Sequence, residues 1–185
     1  MRAPGTIHGP RVYVRALRAG DATALGRALR DRQVTRMLPP RVRTEGGEHF
    51  VDRVLREQRA GTGYAFAICP HGSEEVVGQI RLMNWSRMER RAEVGYWIRR
   101  KDWGHGYGGD ALRLVCRFGF RSLGLHRIEA KVVKGNARSQ RTLLGAGFRV
   151  EGTQRESAWV SRRWADIVEF GLLRGELRNA RPAAK

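Results

Sequence analysis

Cysteine is nearly absent from this chain: Cys69 and Cys116 are the only two in 185 residues, far apart and each in apolar surroundings. That excludes a disulfide framework and leaves both thiols as small buried hydrophobes in a reducing compartment. Long apolar runs are lacking as well. No stretch approaches the roughly 18 consecutive apolar residues of a membrane span. Met1 to Pro10 holds Arg2 with no apolar run behind it, unlike an export signal. A cytoplasmic protein without membrane contact is expected. Acidic residues are the third scarcity: 18 Asp and Glu stand against 36 Lys and Arg, for a net charge of +18. Such a surface attracts polyanions, so nucleic acid, a ribosome, an acidic peptide or an anionic nucleotide would all suit it. General solubility in an arginine-rich setting accounts for the same number.

What remains is enough for a folded domain. The composition is 41 % hydrophobic, which argues against global disorder, and the length suits a single domain over 1–185, with a core of about 11–176 and a frayed tail over 177–185. Alternation of Val12 and Val14 with Arg11, Tyr13 and Arg15 predicts a strand within 9–17. Asp21 starts a helix to about Arg30, Pro39-Pro40 breaks the chain, and Thr44 starts a second helix to about Ala60 with Phe50, Val51, Val54 and Leu55 as its stripe. Strands follow over 64–69, 76–84 and 91–99, the first two as a hairpin around a turn at 70–75. In the third, Val94, Tyr96 and Ile98 share one face and Glu93 lies on the other. A long helix runs from Asp110 to about Leu123, with Leu112, Val115, Cys116, Gly119, Phe120 and Leu123 at helical spacing. A strand (127–134), a helix (137–144) and two strands (148–157 and 164–173) complete a mixed α/β order without strict βαβ alternation.

The segment Trp103-Gly-His-Gly-Tyr-Gly-Gly-Asp110 lies between a strand and a helix. A helix N-terminus exposes unpaired N–H groups and the positive end of a dipole, and glycines let an anion approach the backbone. His105, Arg99, Arg100 and Lys101 could add charge. A P-loop would end in Gly-Lys-Ser/Thr, and Gly109-Asp110 fails that requirement. Gly104, Gly106 and Gly109 match a dinucleotide fingerprint nominally, with Glu129 downstream, but three strands read as antiparallel precede them, where that fingerprint opens a parallel sheet. A glycine-rich turn with no ligand stays open on this segment alone.

Three motifs in order carry a resemblance. Ala92-Glu-Val-Gly-Tyr-Trp-Ile98, then Trp103, Gly106 and Gly108 on the positions of a Gln/Arg-x-x-Gly-x-Gly/Ala pattern, then Asn136-Ala-Arg-Ser139 followed by Gly145-Ala-Gly-Phe148, together resemble the GCN5-related N-acetyltransferase (GNAT) superfamily and its ribosomal-protein alanine N-acetyltransferase-like branch. The resemblance spans roughly 11–176. Trp103 departs from the Gln/Arg position. The resemblance implies a central, mostly antiparallel mixed sheet of about seven strands flanked by about four helices, with acetyl-CoA as co-substrate and no metal. It implies pyrophosphate binding by Trp103, Gly104, His105, Gly106, Tyr107, Gly108 and Gly109, and pantetheine binding along the edge at Trp97 and Ile98, with Asn136 beside it. A backbone N–H there would polarise the thioester carbonyl.

Direct attack by an amine in a ternary complex needs a base, an oxyanion donor and a proton for the leaving thiolate. Glu93 is the candidate base, through water, if partial burial raises its pKa; a solvent-facing glutamate paired with arginine is its other reading. Asn136 also suits a helix N-cap. Ser139 is implied as the group that stabilises or protonates the thiolate, and it is equally an ordinary first-turn serine. Related enzymes place a carboxylate just before the aromatic of the late strand; this chain has Ala158 before Trp159, with Glu156 two residues earlier.

The net charge disfavours a polycationic acceptor unless Glu93, Asp102, Glu129 or Glu156 makes a local acidic pocket. A protein or peptide N-terminus, as in ribosomal-protein acetylation, is the expected acceptor. A polyamine or antibiotic is the alternative. A non-catalytic ribosome- or RNA-binding protein on the same fold is a third reading, resting on Arg87, Arg90, Arg91, Arg99, Arg100 and Lys101. A homodimer through exposed strands is compatible with the pattern.

Overall fold

Residues 64–70 are buried along all but the last position, and this run, β3 (Tyr64–Pro70), organises the fold. Tyr64, Phe66 and Ile68 belong to one hydrophobic cluster, and Ala65, Ala67 and Cys69 to another. Side chains alternate across a strand, so a strand apolar at every position must be covered on both faces. The structure, a computed structural model, describes residues 5–38, 42, 47–160 and 162–179.

Around β3 the chain forms one eight-stranded sheet in the order β1-β2-β3-β4-β5-β6-β8-β7. The strands are β1 (Ile7–His8), β2 (Val12–Ala16), β4 (Gly78–Ser86), β5 (Arg91–Ile98), β6 (Arg127–Val133), β7 (Arg149–Val160) and β8 (Arg163–Leu173). All neighbours pair antiparallel except β5 and β6. The parallel pair needs a crossover connection, which α4 (Tyr107–Ser122) supplies.

α4 covers the Phe66 face with Leu112, Val115, Cys116 and Phe120, all buried as their spacing predicts. A Cβ on Gly119 would stand 3.0 Å from Leu125 and 3.2 Å from Ile128, so glycine lets helix and sheet approach closely. α1 (Ala22–Leu29) and α3 (Gly47–Arg59) cover the opposite face through Leu25, Leu29, Phe50, Val51 and Val54. Each fully buried Leu or Phe contributes about 1.5–3 kcal/mol relative to exposure. The thiols of Cys69 and Cys116 are free and buried. Burial raises both above the ordinary thiol range, which keeps them protonated and unreactive.

The sheet has one more strand than the seven expected: β1 is two residues long, too short for an alternation to register. Five α-helices are described, not four. The addition is α2 (Arg32–Thr35), a single turn capped by Asp31, whose side chain accepts from the Gln33 N–H. The long helix starts at Tyr107 instead of Asp110, so Gly108 and Gly109 lie inside its first turn; glycine weakens a helix without forbidding it. The Pro39-Pro40 break and the start expected at Thr44 lie outside the described residues. Where the sequence suggests a frayed tail from 177, Leu177 packs against the core and the Arg178 N–H donates to the Ala146 carbonyl at 3.0 Å; 180–185 lie outside the described residues.

Candidate active site

Pairing between β5 and β6 stops early. Arg91, Ala92 and Glu93 stand beside Arg127, Ile128 and Glu129, and beyond them the two parallel strands are no longer in register contact. β5 continues along β4 and β6 along β8, so a gap opens between them. α5 (Ala137–Ala146) begins at the end of β6 and brings its first turn to that gap.

Two cavities meet at it, and a third adjoins the first of them. A cleft of about 570 Å³ is lined by Trp97, Ile98, Trp103, Gly104, Gly106, Tyr107, Gly108, Gly109, Asn136 and Ser139 among others. It collects every expected cofactor residue except His105. An inner pocket of about 120 Å³ on the α3 side holds Glu93, Arg81, Met83, Phe50 and Lys131. Tyr96, Trp97, Asn136 and Ser139 line both and so mark the junction of cleft and pocket. An outer cavity of about 750 Å³ holds His105 together with Arg11, Arg113, Arg141 and Arg178.

The glycine segment has the geometry of an anion cradle. Gly104 and Gly106 adopt φ of 90° and 78°, the left-handed region where glycine is favoured. Gly106 is the N-cap of α4, and no side chain caps that helix. Its first-turn N–H groups are therefore left for an external acceptor. A Cβ on Gly108 would lie 3.4 Å from the Tyr96 ring, and one on Gly109 would lie 3.1 Å from the Arg113 guanidinium.

The cations beside this cradle differ from the expected ones. Arg99 is held by Glu75 and Asp102, and Lys101 lies 3.6 Å from Glu75. Arg11, Arg113, Arg141 and Arg178 come instead from β2, α4, α5 and the tail. Asp110, 1 % exposed, fixes two of them: its carboxylate accepts from the Arg11 N–H at 3.1 Å and lies 3.9 Å from the Arg113 guanidinium. No local motif announces a wall built from four separate segments.

At the junction, Asn136 is the N-cap of α5, and its Oδ1 accepts from the Ser139 N–H at 3.3 Å. The Ser139 hydroxyl lies 3.3 Å from that of Tyr96, a residue the sequence reading placed on the strand without a role. Trp103 donates from Nε1 to the Ile98 carbonyl at 2.7 Å, so one lone pair of that edge carbonyl is engaged. The Arg138 guanidinium sits 3.7 Å from the Trp103 ring centroid, within cation–π range, across the cleft mouth.

Glu93 lies on the opposite face of β5 from Tyr96, as the alternation predicts. Burial raises its pKa above the ordinary carboxylate value, opposed by Lys131, a hydrogen bond from Asn84 and Arg81, and reinforced by Glu129. Of the other carboxylates considered for an acidic pocket, Glu129 stands beside Glu93 across the β5–β6 pair, and none of the others joins it. Asp102 is committed to Arg99. Glu129 lies 2.9 Å from Arg127 and 3.4 Å from Arg91. Glu156 is exposed in β7, with a positive φ of 49°, and together with Ala158 and Trp159 it lines none of the three cavities.

The arginine cluster that favoured nucleic acid is also engaged within the chain. Arg90 donates to the Gly124 carbonyl, Arg91 pairs with Glu89, Arg99 with Glu75, and Arg87 covers the Trp85 ring. Among the described residues no group of three or more His, Cys, Asp or Glu is placed to hold a metal ion, and no helix is long and apolar enough to cross a membrane.

Comparison with known proteins gives the family. The family described as Acetyltransferase (GNAT) domain matches residues 11–149. An uncharacterised N-acetyltransferase, p20, from Bacillus licheniformis is 29 % identical over 173 residues, 92 % of this chain and 97 % of its own length. The [Ribosomal protein uS5]-alanine N-acetyltransferase of Escherichia coli (strain K12) is 29 % identical over 115 residues, 62 % of this chain and 59 % of that protein. The structure of Mycobacterium smegmatis RimJ in complex with CoA-disulfide superposes with a TM-score of 0.85 at 27 % identity, covering 96 % of this chain and 91 % of the other.

Proposed function

This chain belongs to the GNAT acetyltransferase family and is an acetyl-CoA-dependent N-acetyltransferase, and on that footing we propose that its acceptor is the α-amine of a protein or peptide N-terminus. The observation that carries this reading is the charge of the inner pocket. Glu93 is its only carboxylate among the described lining residues, facing Arg81 and Lys131. A spermidine-like polycation would bring two or more charges to a pocket with one lining carboxylate, beside Arg81, itself paired with Glu57 at 3.1 Å, and Lys131, 3.8 Å from Glu169, and the +18 surface field would add repulsion. A single amine on a peptide chain meets no such penalty. The similarity to the uS5-alanine enzyme supports the same class, and the basic surface suits work beside a ribosome.

In this reading the first turn of α4 and the loop Trp103–Gly109 hold the pyrophosphate, with Arg11 and Arg113 completing the charge and Arg141 facing the 3′-phosphate. The β5 edge near Trp97 and Ile98 takes the pantetheine arm, and Asn136 caps α5 while bonding to it. Acetyl-CoA supplies the activated thioester. Glu93 removes a proton from the incoming ammonium through water, which a raised pKa suits near neutral pH. A backbone N–H of the β5 edge polarises the carbonyl. The Ser139 hydroxyl, backed by Tyr96, donates to the departing thiolate.

The test is transfer of labelled acetyl from acetyl-CoA to a panel of free-N-terminus peptides, spermidine and an aminoglycoside. Labelled peptides are expected. Transfer to the small amines alone would refute the acceptor assignment.

A further inference from the structure

Two buried side chains on neighbouring strands each carry a polar atom without a partner. Among the described residues neither Trp97 Nε1 nor Gln79 Oε1 makes a hydrogen bond, although the two residues are only 6 % and 3 % exposed. They are directly paired across β5 and β4, so their side chains leave the same face of the sheet. Both line the inner pocket, beside Glu93 and Met83. One atom can only donate and the other only accept. A buried polar group left unpaired costs more than an ordinary hydrogen bond returns, and native structures rarely tolerate it.

An extended peptide presents, on one side, the N–H and C=O of the same residue, as the paired bonds of an antiparallel ladder show. That is the complement of a donor beside an acceptor. We infer that Gln79 and Trp97 receive the main chain of the acceptor's second residue. Gln79 Oε1 accepts from its N–H, and Trp97 Nε1–H donates to its C=O. This rests on the peptide-acceptor reading and deepens it. Recognition falls on the backbone, so the second side chain is tolerated broadly. A simple amine leaves both wall atoms unpaired, and a site that hydrogen-bonds its substrate rejects analogues lacking the group.

The probe is a hexapeptide with a free N-terminal alanine, compared with an analogue whose first amide link is an ester. The exchange removes the second residue's N–H and weakens the first carbonyl as an acceptor, so loss of the difference in the Gln79 variant assigns the effect to the N–H. With the wild-type enzyme kcat/KM is expected to fall about tenfold for the ester, mostly through KM. Gln79→Leu lowers kcat/KM for the amide by a similar factor and abolishes the amide–ester difference, while calorimetry finds its acetyl-CoA affinity unchanged. Equal kcat/KM for amide and ester in the wild type overturns the inference, whether or not the variant folds, and leaves the peptide reading intact. Failure to acetylate either peptide removes the reading and the inference together.

Discussion

The hydroxyls of Tyr96 and Ser139 lie 3.3 Å apart, joining the strand at the gap to the first turn of α5. Tyr96 is held protonated, its pKa raised by burial, so it can donate to Ser139 and leave the serine proton free for a third atom. Ser139→Ala is expected to lower kcat about 100-fold, the range of one positioned acid, with little change in the KM for acetyl-CoA. Tyr96→Phe should cost less, and the double variant no more than Ser139→Ala alone, because the two act as a unit. Additive losses in steady-state kinetics would separate them.

Glu93 links activity to stability. Its folded-state pKa is raised by burial, so the folded chain keeps that proton to higher pH than the unfolded chain does. Stability then falls as pH rises from the ordinary glutamate range through the raised value. Glu93→Gln should melt above the wild type at about pH 8 and approach it at about pH 3, below the ordinary glutamate range, where both side chains are neutral. The same substitution should remove the acidic limb of the kcat/KM profile. An unchanged profile would take Glu93 out of the mechanism.

Gly106 occupies the left-handed region at φ 78°, and a Cβ there would lie 3.5 Å from the Arg11 side chain. Gly106→Ala should cost about 1 kcal/mol of stability and weaken acetyl-CoA binding several-fold by straining the loop backbone, since the added Cβ meets Arg11 only at ordinary contact distance. Denaturant melts and calorimetry would measure the two effects.

The outer cavity is lined by Arg11, Arg113, Arg141 and Arg178, which in the proposed reading face the phosphate-rich end of the co-substrate. Arg141→Ala should weaken CoA about five- to tenfold, the scale of one charge-assisted contact, and leave 3′-dephospho-CoA less affected. An equal loss for both ligands would move Arg141 away from the 3′-phosphate.

The local parts of this site were legible in the sequence. Glycines at a strand–helix junction, an Asn three residues before a Ser at a helix start, and a Glu facing away from Val94, Tyr96 and Ile98 each depend on neighbours along the chain. The parts assembled through space were not. Arg11 and Arg113 reach the loop because Asp110 is buried between them, and Tyr96 meets Ser139 across 43 residues. Spacing cannot report that Asp102 and Glu129 are paired with arginines. α2 leaves no signal in the sequence because a single turn has no periodicity, yet Gln33 and Val34 line the cleft beside Trp97 and Trp103.

The acceptor is tested most directly by competition in one tube. Labelled acetyl-CoA is offered to equal amounts of spermidine and a peptide with both a free N-terminal alanine and a lysine, and fragmentation mass spectrometry locates the label. The account predicts acetyl on the peptide α-amine, with the lysine and spermidine largely unmodified. Label confined to spermidine would contradict it.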